Sequence, residues 1–271
     1  MSSPKLLVFG GTSDSITVCR ELEQLGIHYT FSVATDAGRQ MAQGSDGKPC
    51  IQGELIVGRM DVAQMQQWMT DHHITHVIDA AHPYAQELRQ NIMTASIGLN
   101  LPLVRFERQS QHIDHELITR VESVQQACEE IKSQGWQKVL LTTGSKDLGT
   151  FCQQLPEQNL IARVLPIAQV MQQCEALGLG VDNLIAMKGP FSEAFNHALY
   201  KTVAPDVMVT KESGQAGGFL EKMRPCLELG IACVVIERPQ PVLSGEYHAV
   251  LSELSACQSL FTQWIGTQEH E

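Results

Sequence analysis

At 271 residues the chain is long for one ordinary domain and short for three, so one large or two smaller domains are expected. Hydrophobic residues make up 43% and charged residues 18%, with no apolar run long enough to cross a bilayer and no basic, apolar leader; a cytoplasmic protein without a membrane partner is expected. A net charge of −11 opposes the phosphate attraction on which nucleic-acid binding depends, whereas a small anion needs only a local basic pocket. The eight cysteines are dispersed without a C-x-x-C pair and read as reduced, buried thiols. His72, His73 and His76 cluster, but they precede the apolar pair Val77 and Ile78, so a solvated helix-to-strand turn is the expectation and no metal is assigned.

The chain opens on LLVFGGTSDS, an apolar strand followed by a glycine turn and by hydroxyl and acidic residues suited to a helix start. Strand candidates at 5–10, 29–35, 75–80 and 101–106 alternate with amphipathic segments, the pattern of a parallel sheet covered by helices. Val18, Leu22 and Leu25 recur at helical spacing with Gly26 as a stop, Asp61 suits a cap before Val62, Met65, Trp68 and Met69, and Pro83 stands where a further helix begins. After a charged stretch the rhythm returns, with helices predicted at 123–134 and 167–177 and strands at 138–142, 160–165, 184–187, 206–210 and 231–236. A final amphipathic helix is predicted at 252–265. The fold class is therefore α/β: two Rossmann-like parallel-sheet domains, an N-terminal one at 1–108 binding a dinucleotide and a C-terminal one at 109–271, with the active site in the cleft between them.

In such sheets ligands collect at the carboxyl ends of strands, where helix N-termini turn N–H groups outward. Gly10, Gly11, Thr12 and Ser13 form the first such loop; glycines let a phosphate approach and hydroxyls add hydrogen bonds, although a tight turn with Thr12 or Ser13 as helix cap explains the same residues. Thr35, Gly38 and Arg39 follow the second strand, where an adenosine ribose is met, and Arg39 favours NADPH over the alternative NADH while Asp36 argues against it. Asp79 and Ala80, expected to contact the cofactor, lead to His82, which the following Pro83 pushes into the extended region, projecting a titratable ring; a capping or packing histidine is the alternative. Thr143, Gly144, Ser145 and Lys146 repeat the pattern in the second half and are expected to contact the cofactor as well; Lys188 and Ser192 follow another strand, and Lys211, Ser213, Gly214, Gly217 and Gly218 a third, leading to a helix with Lys222. Three loops that each bring a lysine to a strand end point to an anionic ligand rather than to a solvated rim. Tyr-x-x-x-Lys, G-x-S-x-G, G-x-x-x-x-G-K-[ST] and H-E-x-x-H are absent, which disfavours hydrolase, kinase and sugar-nucleotide reductase or epimerase readings.

GGTSDS, GRMD, DAAHPYA, LVRFER, LLTTGSKDLGTF, KGPFS and VTKESGQAGGFLEK, taken in order, resemble the precorrin-6A reductase family of cobalamin biosynthesis. Asp14, Ala81 and Tyr84 depart from the family's commoner glutamate, threonine and phenylalanine. The resemblance implies a corrin-precursor substrate, a nicotinamide cofactor and reduction of one carbon–carbon double bond of precorrin-6A or its cobalt form. It implies catalytic roles for His82, Lys211 and Ser213, with Lys211 and Ser213 mainly positioning ligand, and the proton donor left open among His82, Lys211 and a bound water. It also implies substrate contacts from Arg59, Tyr84, Lys188, Ser192, Gly214, Gly217, Gly218 and Lys222. A non-catalytic nucleotide sensor would explain the first loop but leave the lysine loops without purpose.

Overall fold

The computed structural model describes residues 4–44, 49–108, 113–212, 218–238 and 247–266. The described residues within 1–109 and 239–271 form one compact unit, and those within 110–238 a second.

The first unit runs β1 (Leu6–Phe9), α1 (Ser13–Gln24), β2 (Tyr29–Val33), α2 (Asp36–Gln43), β3 (Glu54–Val57), α3 (Val62–Asp71), β4 (His76–Asp79), α4 (Gln86–Gly98) and β5 (Leu103–Phe106). The second runs β6 (Ile118–Val121), α5 (Val124–Gln134), β7 (Lys138–Leu141), α6 (Leu148–Gln154), β8 (Asn159–Val164), α7 (Ala168–Ala176), β9 (Leu184–Ala186), α8 (Glu193–Val203), β10 (Val207–Lys211), α9 (Phe219–Glu228) and β11 (Ala232–Ile236). The chain then returns to the first unit with β12 (Ala249–Leu251) and α10 (Leu254–Gly266).

Both sheets have six strands, all parallel, in the orders β3-β2-β1-β4-β5-β12 and β9-β8-β7-β10-β11-β6. Each is the doubly wound order in which the strand sequence reverses beside the first strand, creating a crevice at its carboxyl end. The reversal falls between β1 and β4 in one sheet and between β7 and β10 in the other.

Helices on both faces bury the central strands: every residue of β1 and β5, Arg105 included, is buried. Alternation then splits them between two cores, with Leu6 and Val8 in a cluster that includes Val18 and Leu22, and Leu7 and Phe9 in one that includes Met65 and Ile92.

The expected second domain of 109–271 is corrected at its C-terminal end. β12 pairs with β5 in register Ala249↔Val104, and α10 places Cys257 and Phe261 in the same core as Val18 and Leu22. The physical reason is that β5 would otherwise present a bare edge and α1 an uncovered apolar stripe. Because Phe261 is fully buried, Phe261→Ala is expected to cost about 3–5 kcal/mol of first-unit stability, read as faster amide exchange in β1 but not in β7.

Candidate functional site

At the first reversal, Gly10 is fixed by close packing: a Cβ there would stand 2.4 Å from Phe31 Cε2 and 2.5 Å from Ser15 Oγ. Gly11 has φ +117° with open space where a side chain would be, a conformation that requires glycine. Thr12 caps α1, its hydroxyl accepting from Ser15 N at 3.2 Å and donating to Ala80 O at 3.4 Å, so it also ties the β1 turn to the β4 turn. The Ser15 hydroxyl accepts from both Gly11 N and Thr12 N at 3.1 Å, which commits those amides within the loop. The outward-turned donors are then the first-turn amides of Ser13 and Asp14, which have no intrahelical acceptor. Asp14 itself pairs with Arg108 at 3.2 Å.

After β2, the Thr35 hydroxyl accepts from Gly38 N at 3.3 Å as the α2 cap, and Gly38 is required because a Cβ would lie 2.9 Å from that of Val33. Arg39 pairs with Asp36 at 3.0 Å on the surface. Arg59 is exposed in the turn after β3.

Asp79, assigned from sequence to the cofactor, is fully buried and engaged behind the loop rather than on it. Its carboxylate accepts from Arg105 Nη1 at 2.8 Å, Ala81 N at 3.1 Å and the Tyr247 hydroxyl at 3.0 Å. Ala80 is likewise buried. Arg105, only 1% exposed, donates through Nη2 and Nε to Glu107 at 2.9 and 3.1 Å. Burial works against the Arg105 charge, but Asp79 and Glu107 outweigh it and its pKa is raised. Burial and the Asp79 charge push the Tyr247 hydroxyl up to about 12, keeping it a donor. In front of this network stands exposed His82, whose Nδ1 accepts from Tyr84 N at 3.3 Å.

In the second unit, Gly144 has φ +81° with open space at its Cβ position, and the Thr143 hydroxyl is buried without a hydrogen-bond partner among the described residues. Ser145 gives its carbonyl to Gln173 at 3.0 Å, and Lys146 is exposed. Lys211, at the end of β10, forms an ion pair with Asp147 across the reversal. Ser192 caps α8 by accepting from Phe195 N at 3.2 Å, and Lys188 is exposed. Gly218 stands at φ +64° before α9; Ser213, Gly214 and Gly217 lie outside the described residues.

Sequence reasoning missed Arg163, on β8. It is buried, donates to Asn196 Oδ1 at 2.6 Å and stacks 4.4 Å from the Phe191 ring centre. Its partners are neutral, and burial lowers its pKa. Lys222 is lowered to about 8 by burial and then by Arg163, against which Glu221 acts only in part. Leu165, Ile167 and Met187 remain exposed at the ends of β8 and β9. The signal for Arg163 and Arg105 was a lone arginine inside an apolar strand run, which demands a partner.

The histidine cluster is divided between separate tasks: His72 stacks on Trp68 with 3.8 Å between ring centres, and His76 begins β4 against Trp264. Among the described residues no group of three potential ligands could hold a metal ion. No helix among them is long and apolar enough to cross a membrane.

These features define a pair of doubly wound α/β units whose strand-end loops suit anionic ligands. A solved structure named CobK precorrin-6A reductase has this fold, with a TM-score of 0.76 over 96% of this chain and 97% of its own at 21% identity. The family model for precorrin-6x reductase CbiJ/CobK matches residues 5–260, and the chain belongs to that family, as the motif resemblance implied. It is 42% identical to the cobalt-precorrin-6A reductase of Salmonella typhimurium over 98% of both chains. It is 34% identical to that of Priestia megaterium over 87% of this chain and 91% of the other. A Sinorhizobium precorrin-6A reductase is 26% identical over 89% and 87%. The protein is thus an oxidoreductase of cobalamin biosynthesis.

Two stability measurements test the site's local physics. Gly10→Ala is expected to cost about 1–3 kcal/mol by overpacking against Phe31 and Ser15, read by denaturant unfolding. Unfolding returns Lys222 from about 8 to 10.5, so in that window the unfolded chain binds more proton and stability rises with pH. Lys222→Met is expected to flatten that rise in Tm.

Proposed function

We propose that the protein reduces one carbon–carbon double bond of cobalt-precorrin-6A, giving cobalt-precorrin-6B, with NADPH as reductant. The cobalt form is favoured because relatives bearing that name are 42% and 34% identical, against 26% for those named for the metal-free compound. NADPH, when bound, supplies hydride to one carbon of the double bond while a proton reaches its neighbour, and NADP⁺ is left.

The observation that carries this reading is the contrast between the two strand reversals. In the first unit, open space at Gly11 and the first-turn amides of α1 suit a diphosphate. Thr35, Gly38 and Arg39 stand where the adenosine ribose would lie. The exposed Asp36–Arg39 pair is worth about 0–1 kcal/mol, whereas a charge-assisted phosphate contact is worth about 1.5–3 kcal/mol, so a 2′-phosphate would win Arg39.

In the second unit, Arg163, Lys188 and Lys222 offer cations beside the apolar ends Leu165, Ile167 and Met187. This combination suits a flat ring edged with carboxylates. Thr143, Gly144, Ser145 and Lys146, in the turn after β7, serve as further cofactor contacts; Ser192 and Gly218 are substrate contacts of this unit, and Arg59 and Tyr84 substrate contacts of the first. The Asp147 partner holds Lys211 in place, so its role is to position ligand, as is that of Ser213, Gly214 and Gly217, which follow it in the sequence.

His82 is the proton source. In the neutral ring Nδ1 accepts from Tyr84 N and the hydrogen sits on Nε2; the acid is the imidazolium, formed when a proton is taken up at Nδ1 in place of that contact, and it gives the Nε2 proton to the carbon and returns to the neutral ring.

Mixing the protein with NADPH and cobalt-precorrin-6A should consume NADPH in step with product. Binding without loss of NADPH would instead identify a nucleotide sensor. His82→Gln is expected to lower kcat by about a hundredfold, within the usual range for a general acid. Arg39→Ala is expected to cut the NADPH-over-NADH preference by about tenfold or more; an unchanged ratio removes Arg39 from the site.

A further inference from the structure

We infer that Arg105 and Arg89 are positioning residues for the reaction, holding the backbone of residues 79–83 so that His82 is presented in one place, and that Tyr247 completes the hold from the returning end of the chain. The inference rests on the role proposed for His82.

The argument is an accounting of carbonyl groups. Arg105 Nη1 donates to Asp79 O at 3.3 Å and to Ala81 O at 2.9 Å. Thr12 Oγ1 donates to Ala80 O at 3.4 Å, Ala85 N to His82 O at 2.8 Å, and Arg89 Nη1 to Pro83 O at 3.2 Å. Every carbonyl from 79 to 83 is therefore an acceptor, and the two arginines supply three of the contacts. The amides are held as well, Ala80 N by Phe9 O at 2.9 Å and Ala81 N by the Asp79 carboxylate at 3.1 Å. Such a loop has few alternative conformations in which all these groups stay satisfied.

Two arginines and two carboxylates make the network neutral: Asp79 and Glu107 each lie within 4.0 Å of both Arg89 and Arg105. A buried ionic cluster of this kind is poor evidence for stability, since apolar side chains of similar volume serve a core as well or better. An apolar core has no means of holding carbonyls at the open end of a strand. The guanidinium fork does, because its donors point in several directions from one rigid plane. Arg105 faces both Glu107 and the loop carbonyls, Arg89 reaches in from α4, and Tyr247 fixes the Asp79 oxygen that Arg105 leaves to it.

Arg105→Lys keeps the charge but loses the fork, and Tyr247→Phe removes one hydroxyl with little change of volume. In folded Arg105→Lys, amides of residues 80–85 are expected to exchange faster while β7 exchanges as before. Its kcat is expected to fall about tenfold or more with KM for NADPH within about twofold, the pattern of a misplaced catalytic group. Tyr247→Phe is expected to shift both readouts in the same direction, by about two- to fivefold. Either variant, folded, with wild-type exchange across 80–85 or with wild-type kcat overturns the inference. So does a loss of activity that disappears when rates are scaled to the folded fraction. Should Arg105→Lys fail to fold, Tyr247→Phe decides alone. His82→Gln separates this inference from the reading beneath it: wild-type kcat there removes His82 from the chemistry, while faster exchange across 80–85 and lower kcat in both Arg105→Lys and Tyr247→Phe still assign the hold on the loop.

Discussion

In a sheet whose strands all run one way, no connection can be a tight hairpin; each must leave the carboxyl end of one strand and cross a face to reach the amino end of the next. That constraint gathers every strand-to-helix turn of a sheet along a single edge, and it is why residues as distant in sequence as Thr12 and Ala80 exchange a hydrogen bond. It also sets the composition of the strands. With helices on both faces, β1, β4, β7 and β10 have no solvated side on which to place polar groups, so the polar chemistry is displaced to the residues immediately after them. Asp79, Arg105 and Arg163 are charged exceptions within the strands, and the first two are spent on what lies at that edge.

The two units use the same strand order to different ends. In the first, loop polar groups are satisfied from within: Ser15 serves the glycine turn, Thr35 serves Gly38, and the arginines serve residues 79–83. This is a preorganised surface, with few groups that must rearrange when a ligand arrives. In the second, Arg163 has neutral hydrogen-bond and stacking partners, Lys222 has its charge disfavoured by burial, and the Thr143 hydroxyl is buried without a partner among the described residues. Groups in that condition gain most from an anion or a polar ligand, because their desolvation has already been met.

The sequence made the interior of the fold legible and its margins obscure. Central strands such as β1 and β10 announce themselves as apolar runs, and helix caps such as Asp61 and Thr12 sit at the expected places. The strands that escaped notice, β3, β6 and β12, are all edges of their sheets; they are short, half exposed, and carry residues such as Glu54 and Arg120. An edge strand needs little apolar surface, so periodicity has little to report. The final helix was legible as amphipathic, but amphipathicity does not name the surface it covers, hence the assignment of 252–265 to the second domain. At the site, glycines and hydroxyls were found because turns demand them. Asp79 reads as a ligand contact because its place at a strand end is visible in the sequence while its burial against Arg105 and Tyr247 is not.

The sixth place in each sheet is filled from outside the run of strands it adjoins: β6 precedes the rest of its sheet, and β12 follows the whole of the other unit. The second unit is thus one continuous stretch, whereas the first is not complete until the chain has made a detour of more than a hundred residues. On the ribosome this imposes an order. The second unit can close while synthesis continues, but β5 must wait with an unpaired edge, and α1 with its apolar stripe uncovered, until β12 and α10 emerge. Tyr247 arrives in that last instalment. The buried Asp79 carboxylate therefore receives its final hydrogen bond only after the whole second unit has been synthesised, so a chain cut short before Tyr247 would lack not merely a helix but the last fixed point behind His82.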